Sequence, residues 1–484
     1  STIKRLICRR AERSPQCQVV VFGQALGETT FSVRRLNRGV DLISLTSVLR
    51  EEYRDVVLLE SVEGPRPLAE CSFLAYDPLA ILEVEQDGRT RLIEDGSVIE
   101  ELDGDPFDHL RSLIGQRIPT SVTPRLAGGA IGFVSYDAAF LWNECEVSRR
   151  SSGYPLMRFG VFDSVVVVDH LSGETYLCST RDVDRESELR RIVKEALTSD
   201  KPEPTFTGRE VRRPSDDRER FVSAVEAAKE YIANGEAFQV VISRRIELEV
   251  TGDLLGFCSN LRRINPSPYM YLMRLGDVEI AGSSPEMLVR VEGRRLTTFP
   301  IAGTRRREPD PEREAESDIQ LLSDEKELAE HVMLVDLARN DIGKVSVPGS
   351  VNVAELMKLV KYSHVKHLVS RVEGTLRADC GPMDAFVSVF PAGTVTGAPK
   401  LRAMEIIDEL EPFARGPYAG AVGYFSFNGC ADFAIAIRTL FRKGDEAFVQ
   451  AGAGVVWDSV PEREYLETEA KLMALLEAAG GVRT

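Results

Sequence analysis

Nowhere in the 484 residues do ~18 apolar residues run together, so no segment has the length and composition of a membrane-spanning helix. The opening stretch, Ser1 to Arg10, also lacks the apolar core of an export signal. Eight cysteines, Cys8, Cys17, Cys71, Cys145, Cys178, Cys258, Cys380 and Cys430, form no Cys-x-x-Cys pair and no zinc-like spacing. Reduced thiols in a cytoplasm are therefore expected. A basic surplus is missing too. The net charge is -16, and lysines and arginines are scattered among acidic residues, which speaks against nucleic acid as a partner. Internal repeats and low-complexity tracts are absent. The chain that remains is long enough for a large core and for two or more domains.

The first part reads as strands joined by tight turns. Residues 56–61 form a short apolar strand ending in the turn-rich Gly64-Pro65-Arg66-Pro67, and Asp87-Gly88 and Asp95-Gly96 are hairpin signals between alternating segments. Residues 165–168, four consecutive valines, have the pattern of a strand buried on both faces, followed by the Ser172-Gly173 turn. From 199 to 217 the chain turns polar and proline-bearing, with Pro202, Pro204 and Pro214, and reads as a linker or surface crossing. Helical periodicity then runs from Glu219 to Ala233, stopped by Asn234-Gly235, and a buried strand over 237–243 carries one odd residue, Gln239. Asn428-Gly429 is a strong hairpin turn between 424–427 and 431–438. Strands and helices alternate without a regular βαβ repeat, so an α+β plan of antiparallel sheets is expected, with a sheet-rich part over 1–200 and a second part over 201–484.

Two segments carry paired glutamates at a spacing of three, Glu327 with Glu330 and Glu464 with Glu467, which on a helix puts both carboxylates on one face. Four such carboxylates facing one another suit magnesium, a hard cation that takes oxygen ligands. Each pair alone is equally what a solvated helix face carries. Asp324 with Glu327 and Ser459 with Glu462 have capping-box spacing, and Glu467 has Lys471 one turn on. Arg438 falls mid-strand beside Ala434 and Ala436, where an unpaired guanidinium is costly and an anion is implied, either a neighbouring carboxylate or a bound ligand. Gly452 and Gly454 lie inside a strand pattern, which calls for a close approach of backbone or ligand. Residues 393–400 form a glycine-bearing loop opening onto a helix, able to turn amides toward an anion or to be an ordinary turn; it is not a Walker loop. His367 sits on an apolar face, as a core residue or as an acid or base. Glu286 follows a turn between apolar neighbours, a setting that can keep a carboxyl protonated.

Together these stretches resemble the chorismate-utilising enzymes, and within them the anthranilate-forming members. The resemblance is carried by Phe238-Gln239-Val240-Val241, Gly282-Ser283-Ser284-Pro285-Glu286, Pro300-Ile301-Ala302-Gly303-Thr304-Arg305, Lys326 to His331 continuing through Asp336 to Asp341, His367 to Arg371, Gly393 to Lys400, and Gln450 to Gly454. It covers essentially all of residues 219 to 478, and more loosely the N-terminal third. It implies antiparallel sheets packed as a sandwich with helices outside, and amination of chorismate by ammonia with loss of pyruvate to give anthranilate.

By the same resemblance Glu327, Glu330, Glu464 and Glu467 surround Mg²⁺, which holds the ring carboxylate of chorismate. Arg438 and Tyr418, with amides near Gly452 and Gly454, hold the enolpyruvyl carboxylate, Lys471 stands near the metal cluster, and Ala302, Gly303 and Thr304 line the substrate site. Glu286 protonates the departing C4 hydroxyl while ammonia attacks C2, and His367 and Thr394 assist the later loss of pyruvate. Gln239 stands where water-adding relatives carry lysine, and Ala302 where aminodeoxychorismate synthases carry lysine, so both positions favour amination at C2. Ammonia is expected from a separate glutamine amidotransferase subunit in a hetero-oligomer, since no Gly-x-Cys-x-Gly segment appears. Glu60, Ser61, Pro268, Tyr269 and Met270 match the family's tryptophan feedback site, although Glu70-Cys71 departs from the arginine and tyrosine of many relatives. The rival readings are an aminodeoxyisochorismate synthase, an aminodeoxychorismate synthase and a catalytically silent tryptophan-binding protein.

Overall fold

The computed structural model describes residues 20–21, 30–36, 40–64, 69–115, 118, 124–145, 147, 150–180, 185–198, 204–212, 217–361 and 365–480. Two large antiparallel sheets pack face to face. Among the described residues the first has thirteen strands and the second twelve. The middle of the first runs through Cys71–Tyr76, Val56–Glu60, Tyr269–Leu275, Val278–Ser284, Thr439–Lys443, Glu446–Val455 and Gln239–Gly252. The second includes Val365–Thr375, Met287–Glu292, Ala431–Ile435, Ala421–Ser426, Gly129–Val134 and Met157–Phe162. Each sheet draws strands from both sides of residue 200.

Alternation along a strand assigns its side chains to two cores. Val57, Val165 and Val167 enter the core between the sheets with Tyr271, Phe425 and Phe433, while Val56, Leu58 and Val166 join a second core beneath the helices Leu42–Glu52, Leu254–Ile264 and Pro461–Ala478. The valine run at 165–168 is thus a two-faced strand, as its pattern predicts. The hairpins at Asp87-Gly88, Asp95-Gly96, Ser172-Gly173 and Asn428-Gly429 all form. The six described cysteines are free, and Cys8 and Cys17 lie outside the described residues. No described helix is long and apolar enough to cross a membrane.

Two expectations need correction. Within the supposed linker at 199–217, Phe206–Arg212 is a strand paired with Gln239–Gly252. Phe206 and Gly208 point inward while Thr207 and Arg209 are exposed, and a strand at the end of a sheet tolerates the charge that makes such a segment read as loop. Arg438 is not mid-strand either. The strand Ala431–Ile435 ends before it, and Arg438 adopts φ +51° where the chain passes from the second sheet to the first. Its apolar lead-in carries no glycine or proline to announce that turn.

Candidate active site

A cavity of about 1300 Å³ opens where the chain crosses twice between the sheets. One crossing joins Val278–Ser284 to Met287–Glu292 and carries Glu286; the other carries Arg438. Backbone hydrogen bonds tie them together: Ser283 N donates to Arg438 O at 3.1 Å, and Ile435 N to Glu286 O at 3.0 Å. An acid and a guanidinium distant in sequence thereby face one space. Gln239, Gly452 and Gly454 line it from the first sheet, His367, Ala302 and Gly303 from the second, and Thr394 and Tyr418 from the segments between. The helix Glu325–Gly343 contributes Glu327 and Glu330, and the helix Pro461–Ala478 contributes Glu464, Glu467 and Lys471. Thr304 follows on the same strand as Gly303, its side chain outside the described ones.

The strand glycines are explained by what stands over them. A Cβ at Gly454 would meet Gln239 Nε2 at 2.6 Å, and one at Gly452 would meet Tyr418 Oη at 3.0 Å. Gln239 Nε2 donates to Glu330 Oε1 at 3.0 Å, while its own Oε1 is buried without a hydrogen-bond partner among the described residues. Lys471 Nζ donates to Gly452 O at 2.8 Å and pairs with Glu467 at 2.8 Å, so the one-turn pairing open in the sequence does form. Asp324 caps its helix, its side chain accepting from Glu327 N at 3.3 Å. Glu462 does not cap and pairs with Arg218 at 2.7 Å. In the 393–400 loop the amides of Val395 and Thr396 are spent on Ala392 O and Gly393 O, so these two do not face an anion, and the loop offers the cavity Thr394 instead.

Charge in the cavity is tuned by burial. The Glu286 carboxyl is pushed up to about 7 by loss of water, an effect that Thr394, Arg438 and Lys471 partly offset. The Thr394 hydroxyl faces this carboxyl without reaching good hydrogen-bond geometry. His367 is pulled down to about 4, first by burial and then by Arg438, and its Nδ1 stands 3.3 Å from Gly303 O. Near neutral pH the cavity therefore combines an acid poised between its protonated and ionised forms, a neutral imidazole and a guanidinium, the set needed to donate a proton, accept one and hold an anion.

The sequence reading missed the bolt beneath this cavity. Arg415, 2% exposed, donates to Val395 O at 2.6 Å and Val241 O at 2.7 Å and forks onto Glu411 at 3.0 and 2.7 Å. Its guanidinium lies 5.7 Å from the centre of the Tyr418 ring. One side chain thus fixes the Thr394 turn, the Gln239 strand and Tyr418. Glu-Pro-Phe-Ala-Arg-Gly reads locally as a polar loop, so nothing in it signals burial.

The family model described as chorismate binding enzyme matches residues 55–477. The chain belongs to the chorismate-binding enzyme family. It is 46% identical over 428 residues to anthranilate synthase component 1 of Methanothermobacter marburgensis, covering 88% of this chain and 90% of that one. It is 43% identical over 456 residues to the protein of that name from Acetivibrio thermocellus, covering 90% and 92%. The crystal structure of anthranilate synthase component I from Streptococcus pneumoniae superposes with a TM-score of 0.72 at 39% identity, covering 84% of this chain and 92% of that one. The menaquinone-specific isochorismate synthase from Escherichia coli, at 19% identity over 99% of this chain and 98% of that one, shares the fold with a TM-score of 0.70. The matched range of the chorismate-binding family takes in every residue placed in the cavity above.

For a metal, this member of the family offers oxygen donors only, the chemistry of a hard cation. Burial raises the Glu327 and Glu464 carboxyls, and in each the glutamate three residues on adds repulsion that a cation would relieve. As they stand, no three acidic or imidazole side chains among the described residues are close enough to share one ion. The four glutamates fit a hard cation in their chemistry and face one cavity, without converging on one point in this arrangement.

All five residues of the expected effector site line a separate cavity of about 40 Å³. Tyr269 Oη donates to Asp432 Oδ1 at 3.0 Å and accepts from Arg290 Nη2 at 3.1 Å, Arg290 pairs with Asp432 at 2.6 Å, and Ser61 Oγ donates to Pro268 O at 2.9 Å. Glu60, 7% exposed, pairs with Arg262 at 3.1 Å and leaves Oε2 buried without a partner among the described residues. Cys71 also lines this space.

Proposed function

We propose that the chain is the chorismate-aminating subunit of an anthranilate synthase, converting chorismate and ammonia to anthranilate, pyruvate and water. The observation that carries this reading is the buried Glu286, raised by burial so that a substantial fraction stays protonated near neutral pH, beside Arg438 in a cavity where the neutral Gln239 stands in place of a basic lysine. An amide activates no water, whereas ammonia is already a nucleophile. Arg438 and Tyr418 hold the enolpyruvyl carboxylate. When bound among Glu327, Glu330, Glu464 and Glu467, Mg²⁺ supplies positive charge against the ring carboxylate. Ammonia bonds to C2, the ring double bonds shift, and the C4–O bond breaks as Glu286 gives its proton to the departing oxygen. His367, neutral, and Thr394 then assist removal of the ring proton whose loss expels pyruvate and makes the ring aromatic.

Ammonia comes from a glutamine amidotransferase subunit in the cytoplasm, and tryptophan inhibits from the cavity around Glu60 and Tyr269. Residues 1–200 form a sheet-rich part that serves regulation and part of the scaffold, and residues 201–484 the chorismate-binding catalytic part. The identity at 40% or above to several proteins named anthranilate synthase component 1 supports the reading. Its test is product identification from chorismate, an ammonium salt and Mg²⁺, with and without tryptophan. Anthranilate fluorescence with stoichiometric pyruvate is expected, and a stable non-fluorescent amine would refute it.

A further inference from the structure

Behind the acid lies a smaller space, about 50 Å³, that the chemistry above does not use. It shares Glu286, Thr394 and Leu334 with the wall of the large cavity, so these side chains form a partition between the two. Half-buried Leu337, Ala338, Ala392 and Gly393 make its outer wall. A water needs roughly 10–15 Å³ of such space and two to four polar partners. Both are present. Thr394 Oγ1 is buried without a hydrogen-bond partner of good geometry, Glu286 stands beside it, and the Asp341 carboxylate accepts from Lys344 Nζ at 2.9 Å and Lys400 Nζ at 2.6 Å.

We propose that this rear cavity holds water that reloads Glu286 with a proton after each turnover. The inference rests on Glu286 being the acid of the reaction proposed above. In each cycle Glu286 protonates the departing hydroxyl, whose C–O bonding pair goes to oxygen. The carboxylate left behind takes a proton from the cavity water, and that water takes one from bulk solvent. The front face of Glu286 is the wrong side for this exchange, because bound substrate covers it until product leaves. Behind it, the Thr394 hydroxyl and the Glu286 carboxyl hold the water in place, and the Asp341 carboxylate, paired by Lys344 and Lys400, adds a polar wall.

Ala338→Leu in the full chain fills the rear cavity without touching the large one. The expected result is kcat at least about tenfold lower with an unchanged KM for chorismate, and a solvent deuterium isotope effect on kcat larger than that of the wild type, because proton return becomes limiting. Thermal stability is expected to be retained, and Ala392→Val narrows the same space should the larger side chain prevent folding. An unchanged kcat, or a fall with an unchanged isotope effect, overturns the inference. So does a raised KM for ammonia, which would give the cavity to the nucleophile. A wild-type chain that makes no anthranilate is a different result, failing the activity on which the inference rests.

Discussion

The large cavity around Glu286 and the small one around Tyr269 solve opposite problems. In the large one, groups that would normally neutralise each other are left displaced: a carboxyl near pH 7, an imidazole near 4, and a glutamine oxygen without a partner among the described residues. In the small one most charges are already satisfied, Asp432 by Arg290 and Tyr269, and Arg125 by Glu70 and Glu292 at 3.2 Å each. A ligand entering the first completes an arrangement; one entering the second finds only Glu60 Oε2 open among these charged groups and otherwise meets paired ones. Readiness for chemistry here means leaving electrostatic work undone, and it is possible because the surrounding fold is rigid enough to bear the cost.

Removing the acid gives the largest expected change. Glu286→Gln keeps the shape and lowers kcat by about 10²–10⁴-fold, measured as anthranilate formation, with little loss of thermal stability. The sign follows from linkage: a carboxyl raised to about 7 in the folded state contributes stability that is present at low pH and lost as pH rises through that value, so at pH 8 the neutral amide is no less stable. In the small cavity the order of effects reverses. Asp432→Asn removes the carboxylate that pairs with the buried Arg290 at 2.6 Å and costs about 3–5 kcal/mol of folding stability, read by denaturant unfolding, with a smaller effect on kcat than Glu286→Gln. Similar losses of stability in both variants would erase the distinction between the cavities.

Arg415→Lys tests whether the catalytic cavity depends on its support. Lysine keeps the charge and loses the fork, so kcat/KM is expected to fall about tenfold. Combined with Tyr418→Phe, the double variant should lose less than the product of the single losses, because both act on one ring; fully multiplicative losses would make Arg415 a stability residue only. The smallest effect needs no mutation. kcat/KM should decline above pH ~7 as Glu286 ionises, with no acid limb near 6 from His367, whose burial holds it neutral down to about 4.

Much of this was legible in the residues. The hairpins, the two-faced valine strand and the glycines at 452 and 454 follow from local rules, and all of the site residues named from the motifs except Thr304 line a cavity of the described structure. What escaped was whatever depends on partners far away in sequence. Phe206–Arg212 becomes a strand because a sheet edge lies beside it, Arg438 turns because the other sheet is there to receive the chain, and Arg415 is buried by contacts with residues 241, 395 and 418. The four glutamates are the intermediate case: their helix spacing puts them on one cavity, but among the described residues they do not gather at one point.

The paired crossings that carry Glu286 and Arg438 have a mechanical corollary. Bound to each other through their backbones, they travel as a unit, whereas Gln239 rides on one sheet and His367 on the other. The distances from Glu286 to Gln239 and from Arg438 to His367 are therefore set by how the two sheets are stacked. The small cavity stands at the root of the same crossing, because Tyr269 and Met270 of its wall pair with Ser284 and Ser283, the residues that lead into Glu286.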